Sequence, residues 1–130
     1  MEHTRLPEFI EILMPTRDRN GKALTAALQR EWKNRLTRFL LETLKVTGFQ
    51  ESKRRGVWKR ERKELWEYDP EADRLHVIRE SVNVMRSSCT RAQLKAFQEQ
   101  GETLLVEMGR AMNQQAVAYE TRGGLTILSM

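Results

Sequence analysis

From Lys22 to about Lys45 the residues Leu24, Leu28, Trp32, Leu36, Phe39, Leu40 and Thr43 return every three or four positions, with Arg30, Lys33, Asn34 and Arg38 between them. That period gathers the apolar side chains on one side of a helix and the charges on the other, so the segment must lie on a hydrophobic layer. Gly48, shortly after the last basic residue, is placed to end it. A second stripe, Leu94, Phe97, Gly101, Leu104, Leu105, Met108 and Met112, begins after Thr90-Arg-Ala-Gln93. There the Thr90 hydroxyl and the Gln93 side chain can cap the helix reciprocally.

The rest of the chain supplies strands for these helices to cover. Glu8 to Met14 is apolar on both sides of an extended chain, which suits a central strand; Pro15 and Asn20-Gly21 end it in a loop. Gln50 to Lys63 is the most polar stretch, with strand character at Gly56-Val57-Trp58 and again at Leu65 to Tyr68. Asp69 to Asp73 reads as a turn, and Leu75 to Met85 as a β-branched strand with Ile78, Val82 and Val84 on one face. A turn centred on Glu71 would set Trp66 opposite His76, Arg62 opposite Glu80 and Trp58 opposite Val84. Gln114 to Glu120 alternates as a further strand, Arg122-Gly123-Gly124 is a turn, and Leu125 to Leu128 can pair back on that strand as an extra one or extend it. The order strand, helix, strand, strand, helix, strand predicts one α+β domain over residues 1–130, with the ferredoxin-like split βαβ arrangement: a mostly antiparallel sheet and two helices on one face.

A chain of 130 residues has room for one core. A single cysteine, Cys89, excludes an intrachain disulfide, and no apolar stretch approaches a membrane span, so a cytoplasmic protein with no membrane partner is expected. The formal net charge of +5 draws anions.

Three short motifs occur together: Met14-Pro15-Thr16-Arg17-Asp18-Arg19-Asn20-Gly21, Arg55-Gly56-Val57-Trp58 and Met112-Asn113-Gln114-Gln115-Ala116-Val117. The chain thereby resembles a family of small bacterial proteins of unknown function that share a Pro-Thr-Arg-Asp-x-x-Gly loop, a Gly-x-Trp turn and a Gln-x-x-Val strand entry. The resemblance implies a ferredoxin-like fold and brings no reaction, cofactor or catalytic residue with it. The basic run from Lys53 to Lys63 is heavier than that pattern.

No set of residues requires a cofactor or a metal. Cys89, just before a helix, would have its thiol pKa lowered by the helix dipole, yet a lone cysteine is more often a packed side chain. Asp18, Glu80 and Glu120 could converge on a cation; the plainer reading makes Asp18 a turn residue accepting backbone amides and pairs Glu80 with Arg62. Gly123-Gly124 is not set between a strand and a helix as a phosphate-binding loop would be.

The basic residues carry the leading expectation. With the first and third strands taken as parallel, the loops at 16–21 and 86–90 leave one end of the sheet, together with both helix amino termini. Arg17, Arg19, Lys53, Arg54, Arg55, Arg86 and Arg91 would then form one anion-attracting surface, with Trp58 as a stacking face for a nucleic-acid backbone or other polyanion. Against it stands the reading of a solvated rim. Trp66 and Tyr68, on the projecting hairpin, are candidate interface residues for a homodimer or a protein partner. The expected function is therefore a non-enzymatic binding module, the alternative being a small enzyme using the loop 16–21 and the Cys89 region.

Overall fold

A computed structural model describes residues 2–59 and 77–130, arranged as a five-stranded antiparallel sheet with helices on one face. The strands are β1 (Glu8–Met14), β2 (Gln50–Lys59), β3 (Val77–Cys89), β4 (Ala116–Thr121) and β5 (Gly124–Ser129), in the spatial order β2-β3-β1-β4-β5. This is the predicted ferredoxin-like fold with the extra terminal strand at one edge.

Helix α1 (Ala26–Arg38) starts where Thr25, as N-cap, accepts from the Leu28 amide at 3.1 Å, four residues later than the periodicity suggested. It runs into a π-helical turn, Phe39–Thr43. Its end is set at Lys45, in the left-handed region at φ 58°, and not at Gly48. Helix α2 (Arg91–Ala96) opens with the predicted capping box: the Gln93 amide donates to the Thr90 hydroxyl, and the Thr90 amide to the Gln93 side chain. The Gln93 amide group also donates to the carbonyls of Leu44 and Lys45, tying the start of one helical segment to the end of the other. A second π-helical turn, Phe97–Gly101, leads into α3 (Glu102–Ala111).

Alternation along the strands divides the sheet into two faces. Ile10, Ile12 and Met14 of β1, Met85 and Cys89 of β3, and Val117 and Tyr119 of β4 pack against Trp32, Leu36, Leu40, Phe97, Leu105, Met108 and Met112. The other face buries a smaller cluster, Leu13, Val82, Val84 and Ala118. Among the described residues no helix covers it.

Strand direction corrects one expectation. β3 pairs antiparallel with β1, with Glu8 opposite Cys89 and Met14 opposite Asn83. The physical reason is connectivity: a helical crossover keeps β2 in the direction of β1, and the β2–β3 hairpin reverses it, so a β3 inserted between them opposes both. The hairpin register also differs, for Trp58 pairs with Ile78, Gly56 with Glu80, and Ser52 with Val84. The pairing of Trp66 with His76, like the interface role given to Trp66 and Tyr68, lies outside the described residues.

Candidate functional site

Antiparallel β1 and β3 send the two loops to opposite ends of the sheet, and the amino termini of α1 and α2 with them. Arg17 and Arg19 follow the end of β1, toward which Lys53, Arg54 and Arg55 also lie through their pairing with Asn83, Val82 and Ser81. Trp58 lies further along the same hairpin, opposite Ile78. Arg91 belongs to the other end, beyond Glu8, and Arg86 lies midway along the sheet, opposite Glu11. Alternation splits the basic run as well: Lys53 and Arg55 are on the helix-covered side, Arg54 on the opposite one. The basic residues expected to share one surface are thus divided between the two faces and along the length of the sheet.

The loop after β1 is a built structure. Thr16 donates through its hydroxyl to the Ser81 carbonyl, and Arg17 to the Gly21 carbonyl at 2.7 Å. The Asp18 carboxylate accepts from the amides of Asn20 (2.8 Å) and Lys22 (2.9 Å), as its turn role required. Gln114 donates to the Arg17 carbonyl, and the Arg19 amide to the Asn113 carbonyl, fastening the loop to the start of β4.

Arg54 and Arg86 are held by a residue the sequence reading passed over. Glu11, only 4% exposed, lies on the helix-free face of β1. Arg54 grips it at 3.0 and 3.1 Å, Arg86 donates at 3.4 Å, and Glu120, its neighbour across the β1–β4 ladder, joins the network and stands 3.7 Å from Arg54. Burial would raise the Glu11 pKa, but hydrogen bonds from Arg54 and with Glu120, the Arg54 charge and Arg86 outweigh it and hold the carboxyl below its ordinary value. Arg86 also stacks on the Phe9 ring at 3.9 Å. Both arginines, half-exposed, are thus paired within the chain. The signal was a lone acid amid the apolar residues of a central strand.

Cys89 is fully buried in the helix-side core. Burial, then the charge of Glu8, pushes its thiol up, the reverse of the lowering expected from the helix dipole. It also sits at the opposite end of β1 from the loop 16–21, so those two regions form no common site. Among the described residues no group of three or more His, Cys, Asp or Glu is placed to hold a metal ion, and no helix is long and apolar enough to cross a membrane.

A cleft of about 260 Å³ opens between α1 and the β2 side of the sheet, lined by Met14, Lys33, Glu51, Lys53, Asn83 and Met85 with the chain at Ser52 and Val84. Glu51, Lys53, Asn83 and Met85 face it together because they are cross-strand pairs, Glu51 with Met85 and Lys53 with Asn83. Met14 and Met85 form its buried floor. Lys33 reaches Glu51 at 2.8 Å, and Asn83 donates to the Gln29 side chain at 3.4 Å. Both signs of charge, an amide and an apolar floor thus meet in one concavity.

No family model matches the chain, and no curated protein matches it. Two solved structures match over its whole length. One is a phage SAM lyase in complex with S-methyl-5′-thioadenosine, at TM-score 0.61 and 13% identity, covering 100% of this chain and 97% of that one. The other is a phage SAM lyase in the apo state, at TM-score 0.61 and 10% identity, with the same coverage. The expectation of a non-enzymatic binding module is corrected here, because the two solved chains it matches from end to end are those of an enzyme.

Proposed function

We propose that this protein is a small lyase that cleaves a sulfonium nucleoside of the S-adenosylmethionine class and releases S-methyl-5′-thioadenosine. The observation that carries the reading is the end-to-end likeness to a phage SAM lyase known both with that thioether and without ligand. The cleft beside α1 supports it, since a substrate bearing an ammonium, a carboxylate and a thioalkyl chain asks for both charges over an apolar floor.

In the reaction the bond between sulfur and the aminocarboxypropyl carbon breaks, and its electron pair returns to sulfur. A cation becomes a neutral thioether. A lyase takes no water, so the carbon's electron demand is met within the fragment, by its own carboxylate closing onto that carbon or by loss of a proton from the adjacent one. Such chemistry needs positioning and exclusion of water more than a protein nucleophile, which agrees with a buried, unactivated Cys89.

The test is incubation of the purified chain with S-adenosylmethionine, followed by chromatography and mass spectrometry. Expected are S-methyl-5′-thioadenosine and an equimolar four-carbon fragment that, at early times in ¹⁸O-water, carries no solvent oxygen. Loss of substrate no faster than in buffer overturns the reading, as does a fragment labelled from the first turnover.

A further inference from the structure

The cleft beside α1 has a volume of about 260 Å³, just below the range of about 300–1,000 Å³ that takes ligands of drug size. It has room for an amino-acid portion. Its polar groups suit that portion. Lys53 makes no ion pair or hydrogen bond among the described residues, so its ammonium is available to a carboxylate. Glu51 is paired with Lys33, but the two side chains are 49% and 47% exposed, and an exposed pair of this kind contributes little and exchanges readily. Asn83 spends its amide N–H on Gln29 and keeps its carbonyl oxygen. Glu51 and Lys53 are two residues apart on one strand face, so an acid and a base come to the cleft from adjacent positions.

We infer that this cleft is a subsite for the α-amino-acid head of the substrate. Lys53 takes the carboxylate, Glu51 leaves Lys33 to take the ammonium with the Asn83 carbonyl, and the aliphatic chain lies on Met14 and Met85. The nucleoside then extends over the rim. The inference rests on the sulfonium-nucleoside reading, and its test uses each half of the substrate separately.

Amide resonances of the full chain are followed by NMR while L-methionine, which is head without nucleoside, or S-methyl-5′-thioadenosine, which is nucleoside without head, is titrated in. Expected are shifts at Ser52, Lys53 and Asn83 with L-methionine. Losing one charge-assisted contact in Lys53→Met should weaken L-methionine binding by about tenfold or more, and binding of S-methyl-5′-thioadenosine should stay within twofold. Glu51→Gln should act likewise, and both positions are exposed, so the fold is retained. Unmoved resonances at these residues, or equal L-methionine affinity in Lys53→Met, overturn the subsite even if the thioether binds elsewhere. Shifts from L-methionine in a protein that neither binds the thioether nor cleaves S-adenosylmethionine would keep the head subsite and remove the lyase reading.

Discussion

Glu11 shows how one side chain can set the state of several others. A carboxylate at the centre of a sheet is costly to bury alone, and two guanidinium groups offset that cost with directed hydrogen bonds. Its pKa is lowered in the fold from an ordinary value of 4.5. Above pH 4.5 the group is charged in both folded and unfolded chains, and its full contribution to stability is present. As pH falls below 4.5 the unfolded chain takes up the proton first, so this contribution declines and is gone once the pH passes below the folded value. Glu11→Gln should therefore lower stability at pH 7 by about 1–3 kcal/mol, discounted for half-exposed arginines, and flatten the acid limb below pH 4.5. Urea denaturation across that range checks both. An unchanged midpoint at pH 7 with an unchanged acid limb would show that the network contributes nothing.

At the scale of elements, the two helical segments meet at their irregular turns. Phe39 and Phe97 each begin a π-helical turn, and their ring centroids are 6.4 Å apart. Phe97 meets Tyr119 edge-on at 5.0 Å, and Tyr119 donates its hydroxyl to Glu102 at the start of α3. Burial, then the hydrogen bond with Glu102, raises the Tyr119 pKa, so the phenol stays a donor. Gly101 lies within this contact: a Cβ there would stand 2.6 Å from the Phe97 ring and 3.1 Å from Phe39. An alanine gains about 1 kcal/mol of helix propensity over glycine, but overpacking a filled core costs about 1–3 kcal/mol. Gly101→Ala should therefore lower stability by up to about 2 kcal/mol by thermal or urea denaturation. Equal or higher stability would mean that the rings move aside. The apolar stripes, the Thr90-Gln93 cap and the bounds of β1 were legible because they rest on near neighbours. The π-helical turns were not, because a change from four- to five-residue hydrogen bonding leaves the stripe on the same side.

For the whole molecule, the lyase reading has an equilibrium consequence. A ligand that binds only the folded chain stabilises it by about 2.7 kcal/mol at one hundred times its Kd. S-methyl-5′-thioadenosine should thus raise the melting temperature in proportion to the logarithm of its concentration, whereas adenine-free thioethers such as dimethyl sulfide should not. Scanning calorimetry with each compound distinguishes nucleoside recognition from a general solvent effect. A melting temperature that does not move with the thioether would count against the proposed substrate class.

By itself the sequence determined the order of elements, their amphipathic faces, the Asp18 turn and hence the ferredoxin-like class, since each follows from side-chain period or local hydrogen bonding. Only the tertiary structure decided which residues share a surface. Strand direction placed Arg91 away from Arg17, and pairing brought Glu11 to Arg54 across 43 positions of chain and to Arg86 on the neighbouring strand. Those outcomes depend on how distant segments are laid against one another, which no local period specifies.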